Sequence, residues 1–261
     1  MTKQAVAGLE SDYDAILALA GTFTAEEWAR PSSCSGWRVQ DVIAHLSATF
    51  QSLVDRGSLP ETPPDEPVER QQDRFVDSLR GLSSAEILDR YRVLGEQAII
   101  VLAGLQDNDA VVPVGGLGSY PLHLVANAFT FDHYTHLRSD LLKPFGPLDR
   151  SAPEAGDDHL GAVVDWMIAG LPQMSAEALG RLTSTVNLVL DGPGARAVTF
   201  RCTDGGVDVA DGQADDADAT VTSSTADYVR WGTGRASWRD AVRIEGDADA
   251  AAAFCDAAHV F

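Results

Sequence analysis

The hydrophobic pattern of the chain changes its period part of the way along, and this feature constrains the fold most. Up to about residue 142, apolar side chains recur at helical spacing, as Val6, Leu9, Tyr13 and Ile16 do. From about residue 185, apolar and polar side chains alternate, as in the stretch 197–202, which is typical of half-buried strands. The sequence therefore predicts a two-domain α+β protein, with helices first and an antiparallel sheet second.

Four stretches of the first part have helical periodicity, and segments rich in proline, glycine and serine interrupt them. This arrangement is typical of an up-and-down four-helix bundle. The predicted helices cover about residues 4–19, 37–55, 83–102 and 121–142, with a polar helical segment at 68–82 and an acidic, proline-rich loop at 60–67. Thr24 and Ser83 are each followed three residues later by a glutamate, which predicts capped helix starts.

Helical periodicity lapses at 149–156, where turn-forming residues cluster. We therefore expect a helical domain over residues 1–150 and an α+β domain over 151–261. The second domain is predicted to begin with a helix at 159–171 and to end with helices at 225–231 and 247–257. Its predicted strands are 185–190, 197–202, 206–210, 218–222 and 241–245.

Charge and cysteine content narrow the function classes. The formal charge of −20 argues against nucleic acid or an anionic membrane as partner, because both are bound through clusters of Lys and Arg. Cys34, Cys202 and Cys255 show no CxxC pairing, which fits a reducing compartment. No apolar run reaches the roughly 18 residues of a membrane span. We expect a cytoplasmic monomer or homodimer that acts on a small molecule.

One helix offers two side chains that can bind a metal. Asp132 and His136 are four residues apart, so they lie on the same helix face. The apolar helix that carries His45 is the obvious source of a third ligand. Imidazole and carboxylate suit zinc, and three protein ligands leave one position open for water or substrate. An ordinary hydrogen bond between Asp132 and His136 is the alternative interpretation.

The stretch 34–46, CSGWRVQDVIAHL, resembles the C-x-G-W-x-V-x-D-V-x-A-H-L signature of the mycothiol-dependent maleylpyruvate isomerase family. The resemblance implies a DinB-like four-helix bundle followed by a sterol-carrier-like domain. It also implies that zinc is bound by the histidine of this motif and by an E-x-x-x-H pair, which correspond to His45, Asp132 and His136. Asp132 replaces the family's glutamate and is one methylene shorter. Arg38 stands where members usually carry a Ser or Thr helix cap.

The resemblance further implies that the metal holds the sulfur of mycothiol as a thiolate. That thiolate adds to the double bond of maleylpyruvate, the resulting single bond rotates, and elimination gives fumarylpyruvate. Mycothiol S-transfer to another electrophile is an equally open outcome. Family members carry a functional arginine in the second domain. Arg235 is the nearest match as the catalytic residue, with Arg239 and Arg243 as competitors.

Two other functions remain open at this stage. One is a non-catalytic protein that binds a lipid or small molecule and has a degenerate metal site, and the other is a metal-dependent hydrolase. Roles are also predicted for four neighbouring residues. His133 is expected to support a ligand or to lie on the surface, and Asp41 is expected either to orient His45 or to cap its helix. Cys34 is expected to be a structural residue of the motif, and Trp37 a core anchor.

Overall fold

The computed structural model describes residues 2–63 and 66–260. Pro64 and Asp65, in the predicted acidic loop at 60–67, lie outside the described residues, as do Met1 and Phe261. The chain forms two compact units, Met1–Glu154 and Ala155–Phe261. The predicted boundary between the two domains, after residue 150, stays a prediction.

The first unit is a bundle of four main helices, as the sequence predicts. The helices of this unit are α1 (Thr2–Ala20), α2 (Ala25–Ala29), α3 (Val39–Val54), α4 (Val68–Leu79), α5 (Ser84–Gly104) and α6 (Val125–Thr135). Helix α1 packs against α5 and α6, and α3 packs against α4 and α5. Gly95 allows the close approach of α5 to α1, because a Cβ atom there would lie 2.3 Å from the Tyr13 ring.

The predicted ligand-bearing helix at 121–142 is not one regular helix. A 3₁₀ turn, Leu122–Leu124, precedes α6, and a π-helix, His136–Leu141, continues from it. The backbone N–H of Leu142 donates to the carbonyl of Leu137, five residues earlier. Apolar periodicity does not reveal this π-helix, because all six of its residues are buried although four of them are polar or charged. Short strands flank the region: β1 (Val111–Pro113), β2 (Ser119–Pro121), β3 (Leu142–Lys143) and β4 (Leu148–Ser151).

The second unit is built on a five-stranded sheet. Its strands are β5 (Thr185–Asp191), β6 (Arg196–Thr203), β7 (Gly206–Asp211), β8 (Ala219–Ser224) and β9 (Val242–Gly246), and their order in the sheet is β7-β6-β5-β8-β9. Three of the four pairings are antiparallel, but β5 and β8 pair in parallel. The sheet is therefore mixed: the predicted antiparallel pairing is present in three of the four strand pairs, and the parallel pair was not predicted. Hairpin turns fix the order of β5, β6 and β7, whereas no local signal determines which edge β8 joins.

Helices cover the sheet of the second unit. They are α7 (Asp157–Met174), α8 (Ala176–Leu179), α9 (Thr225–Gly232) and α10 (Ala248–Ala257), and α9 and α10 both pack on β5 and β8. The rings of Phe200 on β6 and Phe254 on α10 lie 5.0 Å apart in the core. Within the part of the chain that the structure describes, every helix is too short or too polar to cross a membrane.

Candidate metal centre

Two helices of the bundle bring the three predicted ligands together. His45 lies on the buried face of α3, Asp132 lies in the last turn of α6, and His136 begins the π-helix. The backbone N–H of His136 still donates to the carbonyl of Asp132, so the two side chains remain one helical turn apart on one face. Both histidines are buried, at 5% and 8% exposure.

One carboxylate oxygen connects the two imidazoles. Asp132 Oδ1 lies 3.1 Å from His45 Nε2 and 3.3 Å from His136 Nε2. The potential ligand atoms of these three residues all lie within 4.8 Å of one another. The aspartate therefore reaches both histidines although it is one methylene shorter than a glutamate.

The donor set fits a zinc ion in chemistry and in size. Ligand atoms about 2.0–2.2 Å from a tetrahedral zinc ion are separated from each other by roughly 3.3–3.5 Å, close to the distances around Asp132 Oδ1. Asp132 Oδ2 is buried and has no hydrogen-bond partner among the described residues. A buried carboxylate oxygen without a partner is costly, and a bound cation would compensate for it. His45, Asp132 and His136 could thus hold the metal.

The electrostatics of the cluster also favour a cation. Burial by itself raises the pKa of Asp132, but the charge of His45 and the hydrogen bonds from His136 and His45 hold this pKa well below its usual value. Burial lowers the pKa of His136, but its hydrogen bonds to Asp132, Asp140 and Cys34 outweigh burial and raise this pKa well above the usual value. An environment that stabilises a proton on His136 also stabilises a metal ion in its place.

Sequence reasoning missed one residue next to the cluster. The Oδ2 atom of Asp140 lies 2.8 Å from His136 Nδ1, on the opposite side of the ring from Asp132. Cys34 Sγ lies 3.6 Å from the same nitrogen. The spacing of four residues between His136 and Asp140 was visible in the sequence, but a carboxylate following a histidine is common on helices. The sequence predicts only a structural role for Cys34 and does not indicate its contact with the His136 imidazole.

Trp37 forms one wall of the cluster. Its ring centroid lies 5.1 Å from that of His45 and 6.4 Å from that of His136. The indole Nε1–H donates to Asp73 at 2.9 Å, which fixes the plane of the ring. Trp37 is half-buried. It therefore borders the candidate site and is not simply an anchor in the core.

Two other residues near the cluster are placed clearly. His133 was expected to support a ligand or to lie on the surface, but it is fully buried against Phe50, at 4.7 Å between ring centroids, with its Nδ1 2.8 Å from the Phe129 carbonyl. The surface expectation is wrong, because the turn of the helix away from Asp132 points this ring into the bundle. Burial lowers the pKa of His133 to about 4.

Asp41 caps α3 and does not bond His45. Its carboxylate accepts the backbone N–H of Arg38 at 2.9 Å and two guanidinium hydrogen bonds from the same residue at 3.0 and 3.1 Å. Of the two roles left open by the sequence, the structure shows the capping contact. His45 Nδ1 is buried without a hydrogen-bond partner among the described residues.

The three candidate arginines of the second unit have different surroundings. Arg239 pairs with Asp256 at 3.5 Å and lies 4.2 Å over the Trp238 ring, and Arg243 pairs with Glu245. Arg235 is half-buried after Gly234, whose φ of +69° suits glycine, and its backbone N–H donates to the Arg230 carbonyl at 2.8 Å. All three arginines therefore stay candidates for binding an anionic substrate.

The fold and the cluster define a class: two-domain proteins in which a helical bundle carries a buried His–Asp–His set and an α+β unit follows. Comparison with known families identifies the class. Residues 9–139 match the family model described as the mycothiol maleylpyruvate isomerase N-terminal domain, and residues 163–253 match that of the corresponding C-terminal domain. The chain belongs to the mycothiol-dependent maleylpyruvate isomerase family.

Solved structures agree with this assignment at the level of the fold. A crystal structure of the mycothiol-dependent maleylpyruvate isomerase is 15% identical, with a TM-score of 0.59 over 94% of this chain and 93% of that chain. A histidine-to-alanine mutant of that isomerase gives the same TM-score and coverage at 16% identity. These identities are low enough that the likeness shows the fold alone. No curated protein matches the chain in a sequence search.

Proposed function

We propose that this protein is a zinc-dependent enzyme that uses mycothiol as cosubstrate and activates its thiol for addition to a small electrophile. The reaction is either cis–trans isomerisation of a maleylpyruvate-type substrate or transfer of mycothiol to an electrophile. The observation that carries the proposal is the convergence of His45 Nε2 and His136 Nε2 on one oxygen of Asp132, at 3.1 and 3.3 Å.

The residues of the cluster have distinct tasks in this proposal. His45 and His136 supply neutral nitrogen ligands, and Asp132 supplies one negative charge, so a bound divalent ion keeps a net positive charge. Such an ion lowers the pKa of a coordinated thiol, so that the sulfur is a thiolate near neutral pH. Three protein ligands leave room for that sulfur, and no cysteine of the protein is required as nucleophile.

The cluster is partly exposed. The side chain of Asp132 is 22% exposed, and Cys34 and Trp37, which border the cluster, are half-buried. This exposure would let a small thiol reach a bound metal ion. Trp37 gives the cluster an apolar wall, which favours exclusion of water from a bound sulfur.

A substrate of the maleylpyruvate type carries two carboxylates. A guanidinium binds a carboxylate through two parallel hydrogen bonds, so an arginine is the expected partner. We assign this role to Arg235, because it is the nearest match in the sequence to the functional arginine that family members carry in the second domain. In this role Arg235 binds one carboxylate of the substrate.

The experiment is an isomerisation assay with maleylpyruvate, with and without mycothiol, on the zinc-loaded protein. Turnover that requires both mycothiol and zinc, and that is lost in His45→Ala and kept in His123→Ala, supports the proposal. His123 is a matched control because it lies in the same unit and pairs with Asp109, away from the cluster. If maleylpyruvate is inert, mass spectrometry of mycothiol with a panel of electrophiles tests S-transfer. Metal-bound protein that hydrolyses substrate without any thiol contradicts the proposal.

A further inference from the structure

His136 has polar neighbours on both of its ring nitrogens. Nε2 faces Asp132, and Nδ1 lies 2.8 Å from Asp140 Oδ2. Asp140 is 2% exposed, so its carboxylate is held inside the protein. A buried carboxylate directed at a buried imidazole fixes the rotation of that ring and the position of its proton.

Backbone structure holds Asp140 in place. It lies in the π-helix, four residues after His136, and its carbonyl accepts the backbone N–H of Ser33 at 3.1 Å. That contact ties the π-helix to the loop before α3. Insertions of this type are frequent at functional sites, and here the insertion carries the residue behind the imidazole.

We propose that Asp140 is a positioning residue for the metal ion. It accepts the Nδ1–H hydrogen bond of His136, which leaves the lone pair on Nε2 and directs it at the site formed with His45 and Asp132. This inference rests on the proposed function, because it requires that His136 binds a metal. A carboxylate in this position also makes the imidazole a stronger ligand.

A second set of potential ligands lies beside the first. Atoms of Cys34, His136 and Asp140 all lie within 4.8 Å of one another, so these residues are an alternative metal site. The Asp140 Oδ2 to His136 Nδ1 distance of 2.8 Å is that of a charge-assisted hydrogen bond. It is shorter than the roughly 3.3–3.5 Å between two ligands of one tetrahedral zinc ion. The distances around Asp132 Oδ1 are closer to that spacing, so the geometry favours Asp140 as a support for His136 and not as a ligand.

The test measures zinc dissociation constants by competition with a chromophoric chelator for the wild type, Asp140→Ala, Asp140→Asn and Cys34→Ser. Loss of a carboxylate behind a ligating histidine typically weakens metal binding about 10- to 100-fold. We expect Asp140→Ala to fall in this range. Asp140→Asn keeps a carbonyl acceptor and should bind more tightly than the alanine variant. Asp149→Asn, which changes an exposed carboxylate of the same unit, is the matched control and should bind as the wild type does.

Two further measurements separate positioning from a general structural role. Nitrogen NMR of the zinc-loaded wild type should show His136 protonated at Nδ1, and the Co(II)-substituted protein should show no sulfur-to-cobalt charge-transfer band. If Asp140→Ala does not fold, the asparagine variant and the NMR result carry the test. Two results would overturn the inference. One is an equal zinc affinity of the wild type and Asp140→Asn together with a His136 that is protonated at Nε2. The other is a charge-transfer band that disappears in Cys34→Ser. A wild-type protein that binds no zinc refutes the proposed function itself.

Discussion

The guanidinium of Arg138 lies against the carboxylate of Asp12 inside the bundle, with nitrogen–oxygen distances of 2.8 and 2.9 Å. Asp12 is fully buried, and the Arg138 guanidinium also lies 4.5 Å over the Tyr134 ring. The pair joins α1 to the π-helix that begins at His136. It therefore helps to fix the segment that carries one of the proposed ligands.

Asp12→Ala should destabilise the protein strongly. The substitution leaves the Arg138 charge buried without its carboxylate, and breaking a buried pair in this way costs about 3–5 kcal/mol. Urea unfolding followed by circular dichroism measures the loss. Asp89→Ala, which breaks an exposed pair with Arg92, is the control and should change the unfolding free energy by less than about 1 kcal/mol. Equal effects for the two variants would show that the buried pair has no special role.

Asp41→Asn should make the stability of the bundle less dependent on pH. Burial by itself raises the pKa of Asp41, but the hydrogen bonds from Arg38 and the charges of Arg38 and Arg80 lower it overall. Because the pKa is lower in the folded state, the carboxylate stabilises the fold above its unfolded pKa of about 3.9. That stabilisation is lost as the pH falls through the lower folded pKa.

We expect Asp41→Asn to cost about 1 kcal/mol at pH 7, the usual value of a helix cap, and progressively less below about pH 4. Urea unfolding of the variant and the wild type between neutral and acid pH measures the difference. Zinc affinity should stay unchanged, since Asp41 bonds Arg38 and not His45. A weakened zinc affinity would instead indicate that Asp41 orients the His45 imidazole.

Asp132→Asn should remove metal binding while leaving the fold intact. The amide has the size of the carboxylate but lacks its charge, and hard oxygen ligands of zinc are usually carboxylates. Asp132→Glu introduces the glutamate of the E-x-x-x-H pair that the family resemblance implies, and this variant should still bind zinc because it keeps a carboxylate. Chelator competition and circular dichroism check affinity and fold. An asparagine variant with wild-type affinity would exclude Asp132 as a ligand.

Arg235→Met should lower turnover of a dicarboxylate substrate without changing zinc content. Loss of a charge-assisted hydrogen bond to a substrate carboxylate raises the activation free energy by about 1.5–3 kcal/mol, which lowers kcat/KM roughly 10- to 100-fold. Arg243→Met is the matched control because Arg243 pairs with Glu245 in the same unit. Steady-state kinetics of the two variants separate them. If Arg243→Met is the impaired variant, the assignment of Arg235 is wrong.

Much of the bundle was predictable because short sequence motifs determine where its helices begin. Ser83 and Glu86 form the capping box that their spacing predicts, and so do Thr24 and Glu27. Asp132 and His136 were placed on one face by helical periodicity alone. Helical periodicity does not say which helices face one another, so the meeting of this pair with His45 was predicted from the apolar helix that carries His45 and from the family resemblance.

Other features depend on contacts between distant parts of the chain. The π-helix and Asp140 behind His136 were not predicted, because polar and apolar side chains of this segment are all buried and its burial therefore does not follow an apolar periodicity. The parallel pairing of β5 with β8 was missed because Val186 and Ala219 are brought together by a connection that has no hairpin signature. Short sequence patterns therefore predict helices and strands, whereas contacts between distant residues determine how these elements pair and pack.

The zinc content per chain, measured by mass spectrometry on purified wild type, His45→Ala, His136→Ala and His123→Ala, tests the central claim most directly. We expect close to one zinc ion per chain in the wild type and in His123→Ala, and almost none in the other two variants. Metal-free wild type after incubation with zinc, or equal zinc in all four proteins, would contradict it.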